Sequence, residues 1–454
     1  MPSTPPTPPS TPQPPTLPPS PTPQHNPRGR SSYLPRVYDA LLRKRLSAKG
    51  AVLVEGPKWC GKTTTCEQIA ASTLYMADPA ARAQNLLFAE TQPSFLLEGA
   101  VPRLIDEWQL APQLWDAVRF EVDRRGAFGQ FILTGSSVPP NLNEISHTGT
   151  GRIARMRMRP MSLFESGDST GTTSLAALFA GESLPPSHAG MSIERLAFLL
   201  CRGGWPGAVG ITDEYAALQQ SVDYVDAVVE SDISRVDDVE RDPHLARRLL
   251  RSYARMESSQ ASTAQIAADA AANETSGPSA KTVQSYLRAL EKIFVIEDLS
   301  AWNPNLRSKT AIRSADTRHF VDPSIATAAL GVNPQGILLD LETFGLLFEG
   351  LCVRDLRVYA DSLDGQVFHY RDKTGLECDA VIHLRDGRYG LIEVKLGGNR
   401  LIEEGAGNLR KLASRLDTSR MNKPSFLMVL TGTGAYSYTR PDGVVVAPVS
   451  TLRP

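Results

Sequence analysis

Short apolar runs alternate with helical stretches between residues 33 and 164. The first run, Ala-Val-Leu-Val at residues 51–54, is apolar and partly β-branched, which predicts a buried strand. Residues 63–69 contain no Gly or Pro and can continue as a helix. A further buried strand is predicted at residues 130–133, Gln-Phe-Ile-Leu. This alternation predicts an α/β fold in which a layered sheet forms the first folded unit.

The turn between the first strand and the helix reads Gly-Pro-Lys-Trp-Cys-Gly-Lys-Thr at residues 56–63. Two glycines separated by four residues and followed by Lys-Thr form a phosphate-binding pattern, in which backbone N–H groups and a helix N-terminus face a polyphosphate. Lys62 is expected on the β- and γ-phosphates, and the Thr63 hydroxyl is expected to ligate Mg²⁺. An ordinary glycine-containing loop leaves the Gly-Lys-Thr order unexplained. The predicted nucleotide-binding residues here are Gly56, Pro57, Lys58, Trp59, Cys60, Gly61, Lys62, Thr63 and Thr64.

An acidic pair, Asp106-Glu107, follows the apolar residues Leu104 and Ile105. The segment resembles the second phosphate-site motif of P-loop ATPases, in which the Asp holds the Mg²⁺ shell and the Glu polarises the attacking water. The alternative is a solvent-facing acidic pair at a strand end.

Two further segments of this unit carry candidate catalytic groups. The strand at 130–133 leads into Thr134-Gly-Ser136, which predicts hydroxyls at the carboxyl edge of the sheet, where Thr134 or Ser136 could sense the γ-phosphate. A turn or capping role is an equal alternative. Arg152 follows the turn Gly-Thr-Gly and could neutralise a phosphoryl group in a neighbouring subunit, although a solvated basic strand edge explains it as well.

These motifs together resemble one family, the prokaryotic AAA-like P-loop ATPases that carry a C-terminal domain of unknown function. The resemblance rests on the phosphate loop and on Leu-Ile-Asp-Glu-Trp-Gln (104–109), Leu-Thr-Gly-Ser-Ser (133–137), Met-Arg-Pro-Met-Ser-Leu-Phe-Glu (158–165) and Arg-Gly-Gly-Trp-Pro (202–206). It covers nearly the whole chain except a Pro-rich N-terminal tail. It implies ATP as the nucleotide and a homo-oligomer in which an arginine acts between subunits.

The middle of the chain, residues 190–300, is rich in helix formers. Residues 221–255 are predicted to form one long helical stretch with a basic end. Helices at 261–272 and 279–292, with strand-like runs at 294–297 and 318–321, predict a winged helix. Its second helix would offer Lys281, Gln284, Ser285 and Arg288 to a DNA major groove. A module that only links domains or binds protein is equally expected.

Two strand-like runs near the C-terminus, 376–382 and 390–396, are joined by Arg-Asp-Gly-Arg, which predicts a tight hairpin. Strand alternation places Glu377 with Asp379 on one face and Glu393 with Lys395 on one face. If the faces coincide, carboxylates and a lysine converge, as metal-dependent phosphodiester cleavage requires. Ordinary cross-strand ion pairs are the alternative.

The order Asp…Glu-x-Lys resembles the catalytic core of the PD-(D/E)XK nuclease superfamily. Asp379, Glu393 and Lys395 fall on its motif positions, and Glu349 could match the acidic residue of its first core helix. The resemblance therefore implies catalytic Asp379, Glu393 and Lys395 and metal ligands Glu349, Asp379 and Glu393. The proline of the motif's name is absent.

Composition limits the expected class of protein and indicates no specific partner. The chain has 454 residues, a formal net charge of −1 and five cysteines. The cysteines are scattered without a Cys-x-x-Cys pair, which indicates a reducing compartment. No apolar run has the length of a membrane span, so a cytoplasmic protein without membrane contact is expected. The predicted domains are a disordered Pro-rich tail (1–30), a P-loop ATPase domain (31–190), a helical and winged-helix region (191–320) and a small α/β nuclease-like domain (321–454).

The predicted function is hydrolysis of ATP with Mg²⁺, coupled to a C-terminal nuclease-like domain that acts on DNA. The alternative is a regulatory ATP switch whose C-terminal domain binds a protein partner without cleavage. A small-molecule kinase ranks lower, because no acceptor-binding segment stands out.

Overall fold

The apolar runs near the N-terminus form a five-stranded parallel sheet in the computed structural model of the chain. Its strands are β1 (Ala51–Glu55), β2 (Ser72–Tyr75), β3 (Arg103–Asp106), β4 (Phe131–Gly135) and β5 (Ile153–Arg157). Their order is β2-β3-β4-β1-β5, so β1 lies between β4 and β5. The helices of this part are α1 (Val37–Leu46), α2 (Lys62–Glu67), α3 (Arg82–Thr91) and α4 (Leu114–Arg125). The predicted α/β fold with a P-loop-like sheet is confirmed.

The structure describes residues 33–138, 148–185, 187–188, 190–237, 239–272, 277–304, 315–419 and 421–454. The chain divides into two units, Met1–Tyr33 and Leu34–Pro454. The predicted disordered tail at 1–30 lies outside the described residues, so the account below concerns the second unit.

Helices dominate the middle of the chain. They are α5 (Leu175–Phe179), α6 (Ile193–Arg202), α7 (Pro206–Val209), α8 (Glu214–Ala227), α9 (Ile233–Arg235), α10 (Pro243–Arg255), α11 (Thr263–Ala270), α12 (Ala280–Lys292), α13 (Pro323–Leu330) and α14 (Pro334–Leu338). A π-helical turn, Val228–Asp232, separates α8 from α9. A short strand, β6 (Thr173–Ser174), precedes α5 and pairs in parallel with the last strand of the chain, β13 (Leu452–Arg453).

The prediction of one long helix over residues 221–255 is wrong. After α9 the chain leaves the helix, and α10 begins at Pro243. The side chain of Asp242 accepts a hydrogen bond from the N–H of His244 at 2.9 Å and caps the new helix. Proline is tolerated at a first helical position, because that N–H has no partner within the helix. Asp242 and Pro243 therefore start a helix at this point.

The two helices of the predicted winged helix are present as α11 and α12. In place of the predicted wing strands the structure has isolated antiparallel bridges, Ile296 with Phe320 and Leu299 with Thr317. Residues 305–314, between these bridges, lie outside the described residues. The winged-helix assignment stays a prediction.

A six-stranded mixed sheet forms the C-terminal part. Its order is β11-β12-β10-β9-β8-β7, with helices α15 (Leu341–Ser362) and α16 (Asn399–Arg415). Its strands are β7 (Gly365–Arg371), β8 (Glu377–Leu384), β9 (Tyr389–Lys395), β10 (Phe426–Thr431), β11 (Tyr438–Thr439) and β12 (Val445–Pro448). The antiparallel pairing of β8 with β9 confirms the predicted hairpin. Ile392 and Val394 join the buried cluster that contains α15, whereas Leu391 joins the cluster that contains α16. The two faces of β9 are therefore covered by different helices.

The hydrophobic core runs through all three predicted folded domains. One buried cluster includes residues of the first sheet, the middle helices, α15 and the C-terminal sheet. Because this core includes residues on both sides of the predicted limits at 190 and 320, those domain limits stay predictions. None of the described helices is long and apolar enough to cross a membrane.

Candidate functional site

The turn between β1 and α2 has the form of a closed cradle. The Lys62 ammonium is buried and donates to the carbonyls of Gly56 at 2.9 Å and Pro57 at 2.7 Å, so it joins the two ends of the turn. Across the described residues, no main-chain N–H from Lys58 to Thr63 donates a hydrogen bond. Consecutive free N–H groups at a helix N-terminus suit an anion. A lysine has three N–H donors, which leaves one for a phosphate oxygen.

Both glycines of the turn are required by its geometry. Gly61 has φ 96°, which disfavours any residue with a Cβ, and a Cβ there would also lie 3.3 Å from Arg36 and Pro206 side-chain atoms. A Cβ on Gly56 would lie 2.0 Å from the carbonyl oxygen of Met158 on the segment that follows β5. The glycine spacing in the sequence therefore reflects close packing of the turn against neighbouring chain segments.

Three predicted nucleotide-binding residues of the turn, Lys58, Trp59 and Cys60, differ in exposure and in the groups that they contact. Trp59 is half exposed at φ 65°, and its ring lies 5.9 Å from that of Tyr224 on α8. The Lys58 ammonium pairs with Asp232 at 2.6 Å. Cys60 is buried, and its thiol lies 3.6 Å from the Met158 carbonyl oxygen.

Arg36 stabilises the turn, a role that sequence reasoning did not predict. Its buried guanidinium donates to the carbonyl of Cys60 at 2.8 Å, to the carbonyl of Arg159 at 2.8 Å and to the carboxylate of Glu165 at 3.0 Å. Burial alone would lower the pKa of Arg36, but the Glu165 carboxylate more than offsets this and the pKa is raised. No local pattern signals this role, since Glu165 lies 129 residues away in sequence.

Asp106 and the two predicted threonines meet at one carboxylate oxygen. Thr63 donates to Asp106 Oδ1 at 2.7 Å, and Thr134 donates to the same oxygen at 2.6 Å. The structure thus brings together Thr63 from the turn, Asp106 from β3 and Thr134 from β4. Hydroxyl and carboxylate oxygens are the ligands that Mg²⁺ prefers, so these residues fit the predicted cation.

Glu107 follows Asp106 in a left-handed conformation with φ 57°. Its N–H donates to Thr134 at 3.1 Å, and its carboxylate accepts from Ser136 at 2.9 Å and from the amide of Gln109. Ser136 was one of the two sensor candidates, whereas Gln109 was not predicted. Gln109 belongs to the Leu-Ile-Asp-Glu-Trp-Gln segment, which is the only signal that pointed to it.

Arg152 lies at the other edge of the first sheet. It precedes β5, and its carbonyl accepts the N–H of Ala51, the first residue of β1, whereas the phosphate turn follows the last residue of β1. Its guanidinium is half exposed and pairs with Asp123 at 2.8 Å. The structure therefore does not bring Arg152 to the turn of its own chain, and action on a neighbouring subunit stays a prediction.

The C-terminal candidates converge at a second site, beside a cavity of about 510 Å³. The Lys395 ammonium contacts Glu393 Oε2 at 2.7 Å and Asp379 Oδ2 at 3.5 Å. The N–H of Val394 donates to Asp379 Oδ2 at 2.7 Å. Glu349 on α15 lines the same cavity as Asp379 and Lys395. Glu377 also lines this cavity and pairs with Arg371 at 3.6 Å.

Burial dominates the electrostatics of this second site. It raises the pKa of Glu393 and of Glu349 well above the usual range, and the nearby Asp379 charge raises both further. Burial alone would lower the pKa of Lys395, but Asp379 and Glu393 raise it. Glu393 Oε1 is buried without a hydrogen-bond partner among the described residues.

The predicted metal ligands Glu349, Asp379 and Glu393 are close, yet a lysine lies among them. Within the described part of the chain, no group of three or more His, Cys, Asp or Glu residues is arranged to hold a metal ion. The predicted metal site therefore stays a prediction, and it requires the Lys395 ammonium to leave its present contacts.

The predicted DNA-binding face is exposed. It consists of Lys281, Gln284, Ser285 and Arg288 on α12. Three arginines at the predicted basic end of the 221–255 stretch are in ion pairs: Arg241 with Asp237, Arg247 with Asp226 and Glu230, and Arg255 with Asp269. These pairs weaken the electrostatic case for a nucleic-acid surface on this part of the chain.

Three family models match consecutive parts of the chain. Residues 48–166 match the AAA domain, residues 193–336 match a domain of unknown function, DUF8612, and residues 344–452 match another domain of unknown function, DUF4143. The first match covers the phosphate turn, the Asp106-Glu107 pair and the end of β4.

Two relatives and one solved structure are similar to much of the chain. The uncharacterized proteins Mb2031c of Mycobacterium bovis and Rv2008c of Mycobacterium tuberculosis are each 24% identical over 360 residues, which is 78% of this chain and 72% of theirs. A solved Walker-type ATPase of Pyrococcus abyssi, PABY2304, aligns with 64% of this chain and 94% of its own at 14% identity and a TM-score of 0.38. The family match of residues 48–166 supports an AAA-like ATPase module in this part of the chain.

Proposed function

We propose that the chain binds ATP with Mg²⁺ at the β1–α2 turn and hydrolyses it to ADP and phosphate. The observation that carries this proposal is the run of free N–H groups between Lys58 and Thr63, closed by the Lys62 ammonium. A triphosphate is the anion that such a cradle fits, because its charge is spread along a chain of oxygens.

Each residue of the site has a distinct role in this mechanism. The N–H groups of the turn and the free donor of Lys62 hold the β- and γ-phosphates. Thr63 and Asp106 would hold Mg²⁺, which neutralises charge on the phosphates when it is bound. Glu107 orients the attacking water and accepts its proton, and Thr134 fixes the position of both acidic residues. Arg152 of a neighbouring copy completes the site in a homo-oligomer.

Substitution of Lys62 tests the proposal directly. Lys62→Ala removes the bridge across the turn and the donor to the phosphates, so we expect ATP binding to fall at least ~100-fold, the scale of losing a buried charged hydrogen-bond donor. Isothermal titration calorimetry with Mg²⁺ and a non-hydrolysable ATP analogue measures this change.

Lys49→Ala is the matched control for that measurement. Lys49 also donates to a carbonyl, that of Gly151 at 3.1 Å, but it precedes β1 and lies at the other edge of the sheet. Its substitution should leave nucleotide affinity unchanged. Undiminished ATP turnover in Lys62→Ala would refute the assignment of the turn.

For the second site we propose metal-dependent cleavage of a phosphodiester in DNA. The unpartnered Oε1 of buried Glu393 suits a cation ligand, and Asp379 and Glu349 face the same cavity region. Acidic side chains outnumber basic ones there, so a phosphodiester needs a bound cation before it can approach. Asp379 and Glu393 would hold that cation, and Lys395 would orient the attacking water.

Nuclease assays with plasmid and branched DNA, in Mg²⁺ or Mn²⁺, test this second activity. We expect cleavage by the wild type and a loss of at least ~100-fold in Asp379→Ala, because a ligand of the cation is removed. Asp386→Ala is the control, since Asp386 pairs with Arg388 on the exposed hairpin turn. Cleavage that survives Asp379→Ala rejects this site. ATP hydrolysis without any cleavage, stimulated by a protein partner, would favour the regulatory switch.

A further inference from the structure

An ion pair connects the phosphate turn to the helical middle. Lys58 of the turn contacts Asp232 Oδ1 at 2.6 Å. The Lys58 side chain is 47% exposed and that of Asp232 is 11% exposed, so the carboxylate is the more fixed of the two. Lys58 lies among the residues whose N–H groups face the expected phosphates.

The local backbone places Asp232 at this position. Asp232 is the last residue of the π-helical turn Val228–Asp232, between α8 and α9. π-Helical turns are rare and occur often at functional sites. The wider turn shifts the helical register, and the Asp232 carboxylate thereby reaches a loop that is distant in sequence.

The same two residues line a small cavity beside the end of β4. The cavity has about 60 Å³ and is also lined by Ser136, Ser137 and Arg235. Arg235 has no hydrogen bond or ion pair among the described residues and lies three residues after Asp232, on the next helical turn. Residues three apart on a helix are neighbours, so Arg235 is an alternative partner for Asp232.

We infer that Asp232 competes with the nucleotide for Lys58 and thereby sets the affinity of the site. In the absence of nucleotide, Asp232 holds Lys58. A bound polyphosphate draws the Lys58 ammonium to its own oxygens and repels the carboxylate, which then pairs with Arg235. Lys58 thus leaves Asp232 and binds phosphate when the nucleotide binds. The segment 228–235 changes its ion pairing at the same time. This inference rests on the proposed ATP site.

Asp232→Asn tests the competition while it keeps the size of the side chain. Loss of the competing charge should tighten binding of Mg²⁺ and a non-hydrolysable ATP analogue roughly two- to fivefold, the range expected for a partly exposed ion pair. Lys58→Ala should weaken binding. In the Lys58→Ala background, Asp232→Asn should have a smaller effect than in the wild type, because Asp232 no longer has a cation to withhold.

Asp226→Asn is the control, because Asp226 lies on α8 and pairs with Arg247, away from the phosphate turn. It should leave the affinity unchanged. The inference is refuted if Asp232→Asn does not tighten binding, or if it tightens binding equally with and without Lys58, which would mean direct repulsion alone. If the wild-type protein binds no nucleotide, the proposed function itself is refuted. If the wild type binds and Lys62→Ala does not, a null result at Asp232 refutes only the competition.

Discussion

Asp106 is the residue at which the proposed ATP chemistry converges. Thr63 and Thr134 both donate to its Oδ1, and among the described residues none donates to Oδ2. The second oxygen is therefore open to a cation or its water shell. Thr134 also accepts the N–H of Glu107, so one hydroxyl contacts both the carboxylate of the proposed cation ligand and the backbone of the proposed catalytic glutamate. In the proposed mechanism Thr134 is therefore a positioning residue for both.

Substitution of Glu107 should slow ATP hydrolysis and leave nucleotide affinity nearly unchanged. Glu107→Gln keeps the shape of the side chain and its contacts with Ser136 and Gln109, and it removes the base. We expect the hydrolysis rate to fall by ~10²–10⁴-fold, the typical contribution of general-base catalysis. Nucleotide affinity should change by about twofold or less, since the amide preserves the packing and an acceptor. A phosphate-release assay and calorimetry measure the two quantities.

Glu98→Gln serves as the control for this separation, because Glu98 is an exposed carboxylate of the same sheet domain. It should change neither rate nor affinity. A Glu107→Gln protein that retains most of its hydrolysis would show that another group accepts the proton, and the role of Glu107 would be wrong.

At the scale of elements, the sequence predicts well what local pattern controls. The strand at 51–54, the glycine-bounded turn and the β8–β9 hairpin follow from alternation and turn chemistry, and all three are present. The face alternation that groups Asp379, Glu393 and Lys395 also follows from the two-residue period of a strand. These features need no contact beyond a few residues in sequence.

The elements that escaped prediction depend on distant contacts or on a signal that was overlooked. The break before α10 could have been predicted from the capping residue Asp242 and from Pro243. The role of Arg36 could not, because its partner Glu165 belongs to a remote segment. The pairing of β6 with β13 joins strands about 280 residues apart, and each strand has only two residues. Such short strands have no hydrophobic period of their own.

At the scale of the whole molecule, a buried network of charges joins the three parts of the chain. Arg159, which follows β5, makes two hydrogen bonds to Glu297 of the middle part, at 2.8 and 2.7 Å, and one to Asp361 of α15 at 2.7 Å. Arg357 of α15 lies 3.7 Å from the Glu297 carboxylate. The carbonyl of Arg159 also accepts from Arg36, which supports the phosphate turn. The network therefore connects the phosphate turn to α15.

Glu297→Gln should destabilise the whole protein in a way that depends on pH. Burial alone would raise the pKa of Glu297, but Arg159 and Arg357 lower it well below the ordinary value of 4.5. A carboxylate with a lowered pKa contributes stability above its unfolded-state pKa and loses that contribution as the pH falls towards the folded-state value. At neutral pH the variant should lose about 3–5 kcal/mol of the free energy of unfolding, because buried arginines lose their counter-charge.

The same linkage predicts that the difference between wild type and Glu297→Gln shrinks as the pH falls below about 4.5, because the unfolded glutamate takes up a proton there while the folded one, with its lowered pKa, stays ionised. Urea unfolding at pH 7, 5 and 3.5 measures it. Glu404→Gln is the control: Glu404 and Arg400 form an exposed pair at 4.0 Å, so the change should stay below about 0.5 kcal/mol at every pH. A difference for Glu297→Gln that stays constant across this range would mean that the glutamate acts through its shape. In that case the charge network would not hold the three parts together.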